Sequence, residues 1–193
     1  SYGYSNLENH SPLKLRDRFY IGSLTKQFTS ALIFILQEEG LLSVENTLSS
    51  HLPEFDSPDY KEITIHHLLT HTSGLDNYTS FPDFDRSKNY PEEEFLELIK
   101  KPLLFKAGTG WHYSNTGYYL LGIIAQRVAN KTYGELLNEK IFAPLNMTST
   151  GFDTSWKKDN IAHGYLRTIN GISSMPEYSL STLFSSGGMY STA

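Results

Sequence analysis

The sequence predicts an α+β protein in which a mainly helical lobe is joined to part of an antiparallel sheet. Residues 2–7 and 18–21 have the composition of short strands, and residues 9–12 suit the turn of a hairpin between them. Helical patterns joined by polar loops then occupy most of the chain. Because a two-stranded hairpin is only marginally stable alone, this lobe requires further strands to complete its sheet.

The composition is that of a globular chain and excludes several classes of function. Of 193 residues, 39% are hydrophobic and 13% aromatic, which suits packed structure rather than disorder. The net charge is -5 with no long basic run, so nothing in the sequence favours nucleic-acid binding. The chain has no cysteine, which excludes disulfides and thiolate chemistry. Its longest apolar run, residues 31–36, is too short to cross a bilayer.

Six helices are predicted, over residues 24–39, 44–50, 64–69, 91–101, 117–129 and 132–141. The first carries apolar residues on more than one face, so we expect a central, largely buried helix that ends at Gly40. Thr64 caps the third helix, and Asn115 or Thr116 caps the fifth. A capping box that begins at Thr132 opens the sixth. Beyond residue 144 the pattern breaks into short pieces rich in Ser, Thr and Gly.

A serine and a lysine lie at the start of the first helix. Ser23 and Lys26 are three residues apart, which places an amine beside a hydroxyl on one face of a helix. Burial would lower the pKa of the lysine, as a lysine base requires, and the backbone N–H of Ser23 can serve as one oxyanion donor. The alternative is a serine cap with a lysine that extends to solvent.

Ser-x-x-Lys by itself is a weak pattern, because it also occurs at Ser11–Lys14 and Ser155–Lys158. The first of these matches precedes a proline in a predicted turn, and the second lies in a polar stretch. Only Ser23 follows a predicted strand and precedes a buried helix. Context therefore favours Ser23 as the nucleophile.

Two further stretches have the residue types of a binding cleft. Tyr113 and Asn115 lie between a glycine turn and a helix start, where a phenol can pass a proton and an amide can contact a substrate amide. The alternative is a packed tyrosine and an asparagine cap. Gly187 and Gly188 suit a loop that lets the backbone approach a ligand closely, or a simple flexible turn.

The histidines offer a rival chemistry. His67 and His71 have the spacing that zinc hydrolases use, but Leu68 stands where those enzymes carry a glutamate, and no third ligand is identifiable. Structural or turn-stabilising roles are the preferred interpretation for these two residues and for His66.

Taken together, these segments resemble the serine β-lactamase-related hydrolases, which include class C β-lactamases, D-alanyl-D-alanine carboxypeptidases and related esterases. Residues 19–28 are similar to that family's nucleophile motif, and residues 63–75 to a second family stretch. The third family motif is similar to residues 108–115, with Ala107 where proline is more usual. Family segments also resemble residues 144–147 and 186–193, so the similarity covers nearly the whole chain.

The resemblance implies a β-lactamase/transpeptidase-like fold and acyl transfer on amide, β-lactam or ester substrates. It implies Ser23 as nucleophile, Lys26 as its base, Tyr113 as proton shuttle and Asn115 as a contact to a substrate amide. No metal or organic cofactor is implied. A peptidase or esterase acting on small or cell-wall-derived substrates, including peptides, is preferred to a dedicated β-lactamase. A non-catalytic, penicillin-binding-like sensor on the same scaffold is the alternative.

The sequence also departs from the family. No Lys-Thr-Gly or His-Thr-Gly strand follows the last matching segment, although in the family that strand lines the cleft and gives the second oxyanion donor. We therefore expect residues 1–193 to form a single, incomplete catalytic domain, in which residues 1–22 start the sheet and residues 23–193 form the helical lobe. A second chain or segment would complete the sheet. We also expect the full-length protein to be extracytoplasmic.

Overall fold

A computed structural model describes residues 2–152, 161–176 and 179–192. Within these ranges, helices form most of the regular structure and the strands are short, so the predicted α+β class is confirmed. The helices are α1 (Thr25–Glu38), α2 (Leu48–His51), α3 (Ile65–Leu69), α4 (Glu92–Leu98), α5 (Asn115–Ala129), α6 (Tyr133–Leu137) and α7 (Leu180–Gly187). The strands are β1 (Tyr4–Asn6), β2 (Ser11–Pro12), β3 (Phe19–Tyr20), β4 (Tyr165–Thr168), β5 (Gly171–Ser174) and β6 (Tyr190–Ser191).

The strands form three antiparallel pairs, which are β1 with β2, β4 with β5, and β3 with β6. The predicted hairpin between residues 2–7 and 18–21 is wrong. A tight turn over residues 7–10, with His10 at a φ of 54°, returns the chain early, so β2 pairs with β1. Tyr20 in β3 instead faces Tyr190 in β6. Propensity shows that a segment suits a strand but does not identify so distant a partner.

The predicted helices are found, with changes at their ends. Gly40 follows α1 at a φ of 74°, the left-handed conformation that favours glycine at a helix end. Capping boxes begin at Thr64 and Thr132 as predicted. The cap of α5 is Ser114, whose hydroxyl accepts a hydrogen bond from Gly117 N, and not Asn115 or Thr116. The helix predicted over residues 44–50 is shorter and shifted, at α2.

The most buried helix is α5 and not α1. Ten consecutive residues of α5, from Thr116 to Ala125, are buried. On α1 the buried residues lie on one side, and Phe34 remains 49% exposed, so the prediction of a largely buried first helix is wrong. The two helices and α7 pack against one another and surround the core.

Helix α7 occupies a stretch that the sequence predicted as a loop or flexible turn. Gly122 lets it approach α5, because a Cβ at that position would lie 2.1 Å from Ser185 Oγ. The Ser185 hydroxyl donates to the Tyr118 carbonyl oxygen at 2.8 Å. The helix is broken at Phe184, whose φ of 34° and ψ of -131° cost about 1–3 kcal/mol for a bulky residue. Packing against α5 therefore holds a strained turn directly before Ser185 and Ser186.

Across the ranges that the structure describes, no helix combines the length and the apolar character needed to cross a bilayer.

Candidate active site

Ser23 lies where the strand β3 gives way to the helix α1. A single 3-10 turn, Gly22–Leu24, makes the connection, and Gly22 has a φ of 52°. The backbone before this junction is held against the residue that precedes β6, since Ile21 N donates to the Met189 carbonyl oxygen at 3.0 Å. Ser23 is exposed. The junction thus presents the serine hydroxyl to solvent on a constrained backbone.

Lys26 is buried directly behind this serine, with 6% of its surface exposed. Its Nζ donates to Asn115 Oδ1 and to the Ser186 carbonyl oxygen, each at 2.7 Å, and lies 3.4 Å from Ser23 Oγ. A charged lysine has three N–H donors, and a neutral one has two and a lone pair. The two N–H groups of a neutral amine can therefore make the two shorter hydrogen bonds. The lone pair is then left to accept the proton of the Ser23 hydroxyl.

Burial changes the protonation of this lysine. Desolvation lowers the pKa of Lys26 from 10.5 to about 8. The rings of Tyr113 and Tyr118 lie near the amine, with centroids 4.8 and 5.4 Å from Nζ. They lend some cation–π stabilisation to the charged form. The lowered pKa predicted from the sequence is confirmed, and a substantial fraction of the amine is neutral near pH 8.

Tyr113 lies on the other side of the Ser23 hydroxyl. Its phenol donates to Ser23 Oγ at 2.7 Å. The oxygen of Ser23 thus lies within reach of two groups that can move protons, one amine and one phenol.

Asn115 is held by Asp76 and Asn77, in the loop between α3 and α4. Its backbone N–H donates to Asn77 Oδ1 at 3.3 Å, and its neighbour Thr116 donates from Oγ1 to the Asp76 carbonyl oxygen at 2.6 Å. Because Lys26 Nζ donates to Asn115 Oδ1 at 2.7 Å, the amide oxygen of Asn115 faces the lysine. The amide nitrogen of Asn115 is then the atom available to donate to a substrate.

The two predicted binding glycines lie at the C-terminal end of α7 and are both buried. A Cβ on Gly187 would lie 3.7 Å from the carbonyl carbon of Gly22, the residue before the nucleophile. A Cβ on Gly188 would lie 2.8 Å from the Phe152 ring. Gly187 thus lies beside the Ser23 turn with room for a Cβ, while Gly188 faces the core and has no such room. Direct contact of either residue with a substrate stays a prediction.

Sequence reasoning missed two groups at this site. The Ser186 carbonyl oxygen is one of the two strong acceptors for Lys26, and only the long-range packing of α7 brings it there. His71 was assigned to a turn, yet its ring stacks on Tyr113 with centroids 4.6 Å apart. The sequence signal that could have indicated His71 was its position before Thr72, Ser73 and Gly74, in a stretch that resembles the family.

The competing patterns do not form sites in the part of the chain that the structure describes. The Ser11 hydroxyl donates to Asn9 Oδ1 within the first turn, and Ser155–Lys158 lies outside the described residues. His67 serves as a cap partner, because its Nδ1 accepts from Thr64 N at 3.2 Å. No group of three or more His, Cys, Asp or Glu side chains in the described ranges is arranged to hold a metal ion.

A cavity of about 370 Å³ lies elsewhere, against α5, α6 and α7. Aromatic side chains, among them Tyr119, Tyr133 and Phe184, form much of its wall. Neither Ser23 nor Lys26 contributes to it. We place the candidate active site at Ser23, because the proton-transfer geometry lies there.

Comparison with known proteins identifies the class. The Beta-lactamase family profile matches residues 1–193, and the chain belongs to this family. A penicillin-binding protein of Bacillus subtilis (strain 168) is 33% identical over 179 residues, which are 88% of this chain and 39% of that protein. Protein flp of Staphylococcus aureus (strain NCTC 8325 / PS 47) is 33% identical over 185 residues, which are 93% of this chain and 37% of that protein.

Solved structures agree with this assignment. D-amino acid amidase from Ochrobactrum anthropi SV3 is similar with a TM-score of 0.86 at 28% identity, over 99% of this chain and 57% of that one. The penicillin-binding protein from Bacillus halodurans is similar with a TM-score of 0.83 at 31% identity, over 100% of this chain and 62% of that one. The protein therefore has the β-lactamase/transpeptidase fold predicted from the sequence. The chain spans less than two thirds of the length of each of these relatives.

Proposed function

We propose that this protein is a serine hydrolase that transfers the acyl group of an amide substrate to Ser23 and then to water. The supporting observation is the environment of Lys26, a buried amine with a pKa of about 8 that lies 3.4 Å from the hydroxyl of Ser23. Apart from Ser23, its two hydrogen-bond partners are acceptors, so the neutral amine has its lone pair directed at the serine. The distance is long for a hydrogen bond, and such contacts shorten in a substrate complex.

The reaction proceeds in two balanced steps. In the first, Ser23 Oγ bonds to the substrate carbonyl carbon while its proton passes to the Lys26 amine. Lys26 gives this proton, by way of Tyr113, to the leaving nitrogen as the C–N bond breaks, and an amine departs. In the second step a water molecule attacks the resulting ester. Its proton returns through the same groups to Ser23 Oγ, and a carboxylic acid is released.

Other groups orient the substrate in this scheme. The Asn115 amide nitrogen donates to a substrate carbonyl, because the amide oxygen is occupied by Lys26. The Ser23 backbone N–H is one oxyanion donor. Gly187 lies beside the nucleophile turn, and Gly188 supports it from the core side. Residues 1–193 form an incomplete catalytic domain in this proposal, and strands from a further segment or a second chain complete the sheet and add the second donor.

We expect the substrate to be an amide of a D-amino acid or a peptide that ends in one. Support comes from the relatives that are similar over nearly the whole chain, which are named D-amino acid amidase and penicillin-binding protein. We also propose an extracytoplasmic location for the full-length protein.

The test measures ammonia release from D-phenylalanine amide and L-phenylalanine amide by the full-length protein. We expect hydrolysis of the D-amide in preference to the L-amide, loss of it in Ser23→Ala and retention in Ser11→Ala, the matched control. Hydrolysis that survives Ser23→Ala would overturn the nucleophile assignment. A stable penicillin adduct on Ser23 without turnover of either amide would favour a sensor on this scaffold.

A further inference from the structure

His71 lies outside the proposed chemistry but packs directly against it. Three aromatic rings surround its imidazole, with centroids 4.6 Å away for Tyr113, 5.1 Å for Tyr118 and 6.0 Å for Trp111. The imidazole and the Tyr113 ring are in close contact and inclined by 36° to one another. The phenol at the far end of Tyr113 is the group that reaches Ser23 Oγ at 2.7 Å.

The imidazole ring and the backbone of His71 each accept one hydrogen bond from a residue next to Tyr113. Its Nδ1 accepts a hydrogen bond from the backbone N–H of Ser114 at 3.2 Å, so a neutral ring carries its proton on Nε2. The His71 carbonyl oxygen accepts from His112 N at 2.9 Å. These two bonds tie His71 to the residues on either side of Tyr113. They therefore hold the imidazole next to the backbone of Tyr113.

The backbone at His71 is in an uncommon conformation. Its φ is 61°, the left-handed region that few residues other than glycine, asparagine and aspartate occupy. The next residue is held as well, since Thr72 N donates to the His67 carbonyl oxygen and its own carbonyl oxygen accepts from Gly108 N, each at 2.9 Å. This turn directs the imidazole towards Tyr113 instead of continuing α3.

The charge state of His71 suits this place. Burial, together with the positive charges of Lys26 and His112, lowers the pKa of His71 to about 4. The ring is therefore neutral near pH 7 and can accept the bond from Ser114. Asp76 lies 3.3 Å from the far nitrogen of His112, and the facing groups of α1 and α5 are Lys26 and Tyr118. A neutral ring adds no charge that would oppose protonation of the Lys26 amine during the reaction.

From this geometry we infer that His71 is a positioning residue, which holds the Tyr113 phenol against Ser23 through ring stacking and its bond to Ser114. The inference deepens the proposed function and rests on it. His71 itself neither attacks the substrate nor exchanges a proton with it. Its effect passes entirely through Tyr113.

A double-mutant cycle tests this role. The full-length protein and its variants are treated with a fluorescent fluorophosphonate, and the rate of labelling of Ser23 is measured. His71→Asn tolerates the left-handed φ and keeps an acceptor near the Ser114 N–H, but removes the ring. We expect it to slow labelling about 10- to 100-fold, since a displacement of about 1 Å has an effect of this size. His66→Asn, at the exposed neighbour on α3, is the matched control.

The decisive comparison uses Tyr113→Phe, which removes only the phenol oxygen. In that background we expect His71→Asn to change the labelling rate less than about 2-fold, because the group that His71 positions is absent. An equal loss in both backgrounds would overturn the inference. A second cycle combines His71→Asn with Tyr113→Ala and measures urea unfolding, so it does not depend on catalysis. Additive shifts in the urea midpoint would also overturn the inference. If the wild type is not labelled at Ser23, the proposed function itself fails, and this inference fails with it.

Discussion

The replacement Lys26→Met tests whether burial lowers the pKa of this lysine. The pKa of Lys26 falls from 10.5 in water to about 8 in the folded protein, and each pKa unit corresponds to about 1.4 kcal/mol. Ionised Lys26 therefore lowers the free energy of unfolding by about 3 kcal/mol at pH 7, relative to a lysine with an unchanged pKa. Only 6% of the residue is exposed, so solvent does little to reduce this value.

The sign of the pH dependence follows from the direction of the shift. Between pH 8 and 10.5 the unfolded chain binds the lysine proton more tightly than the folded one, so stability contributed by this group rises with pH. Below pH 8 both states are protonated and the full cost is present. In the difference between wild type and Lys26→Met, all other titrating groups cancel. We expect that difference to move by about 2–3 kcal/mol in favour of the wild type from pH 7 to pH 10.

Urea unfolding at pH 7, 8, 9 and 10 measures this difference. Lys26→Met also leaves Asn115 Oδ1 and the Ser186 carbonyl oxygen without a donor, which shifts all four values together by about 1–3 kcal/mol. The change with pH is therefore the informative quantity. Lys61→Met, at an exposed lysine, is the control. If the difference in free energy of unfolding between wild type and Lys26→Met does not change with pH, burial does not lower the pKa of Lys26.

Three further predictions follow from the packing and the site. Gly122→Ala should lower the free energy of unfolding by at least about 1–3 kcal/mol in urea, because the new Cβ would lie 2.1 Å from Ser185 Oγ. Thr132→Ala should cost about 1 kcal/mol in the same assay, because it removes the capping box of α6. Tyr113→Phe should slow fluorophosphonate labelling at least about 100-fold while the urea midpoint stays unchanged.

Each of these predictions has a control or an opposing result. Gly117→Ala lies in the same helix as Gly122, but its Cβ would meet nothing closer than 3.4 Å, so it should be neutral or slightly stabilising. Equal losses for the two glycine variants would contradict the close approach of α7. An unchanged midpoint in Thr132→Ala would contradict the cap. Full labelling in Tyr113→Phe would show that the phenol is not needed to activate Ser23.

Local patterns in the sequence were sufficient to predict most of the helices and the proximity of Ser23 and Lys26, whereas their grouping with Tyr113 and Asn115 came from the resemblance to the family. The spacing of Ser23 and Lys26 places them together on any helix start, and the glycine turn before Tyr113 predicted a cleft. The capping box at Thr132 was equally clear, because its partners are neighbours in sequence. The catalytic roles of the four site side chains stay predictions.

The features that the sequence did not predict depend on residues far apart in the chain. Tyr20 pairs with Tyr190, and the carbonyl oxygen of Ser186 completes the surroundings of Lys26. Neither contact leaves a local signature. The strained turn at Phe184 is stable only because Ser185 docks on α5 at Gly122, and flexible residues in that stretch predicted a loop instead. The cap at Ser114 competed with two equally suitable neighbours.

The most direct test of the account is to map where an acylating reagent binds. Full-length protein is treated with a fluorophosphonate, digested and analysed by peptide mass spectrometry at pH 7 and pH 9. The account predicts one adduct on Ser23, formed faster at pH 9 as Lys26 loses its proton, absent in Ser23→Ala and unchanged in Ser11→Ala. An adduct at another residue that persists in Ser23→Ala would contradict Ser23 as the nucleophile. Slower labelling at pH 9 than at pH 7 would contradict Lys26 as its base.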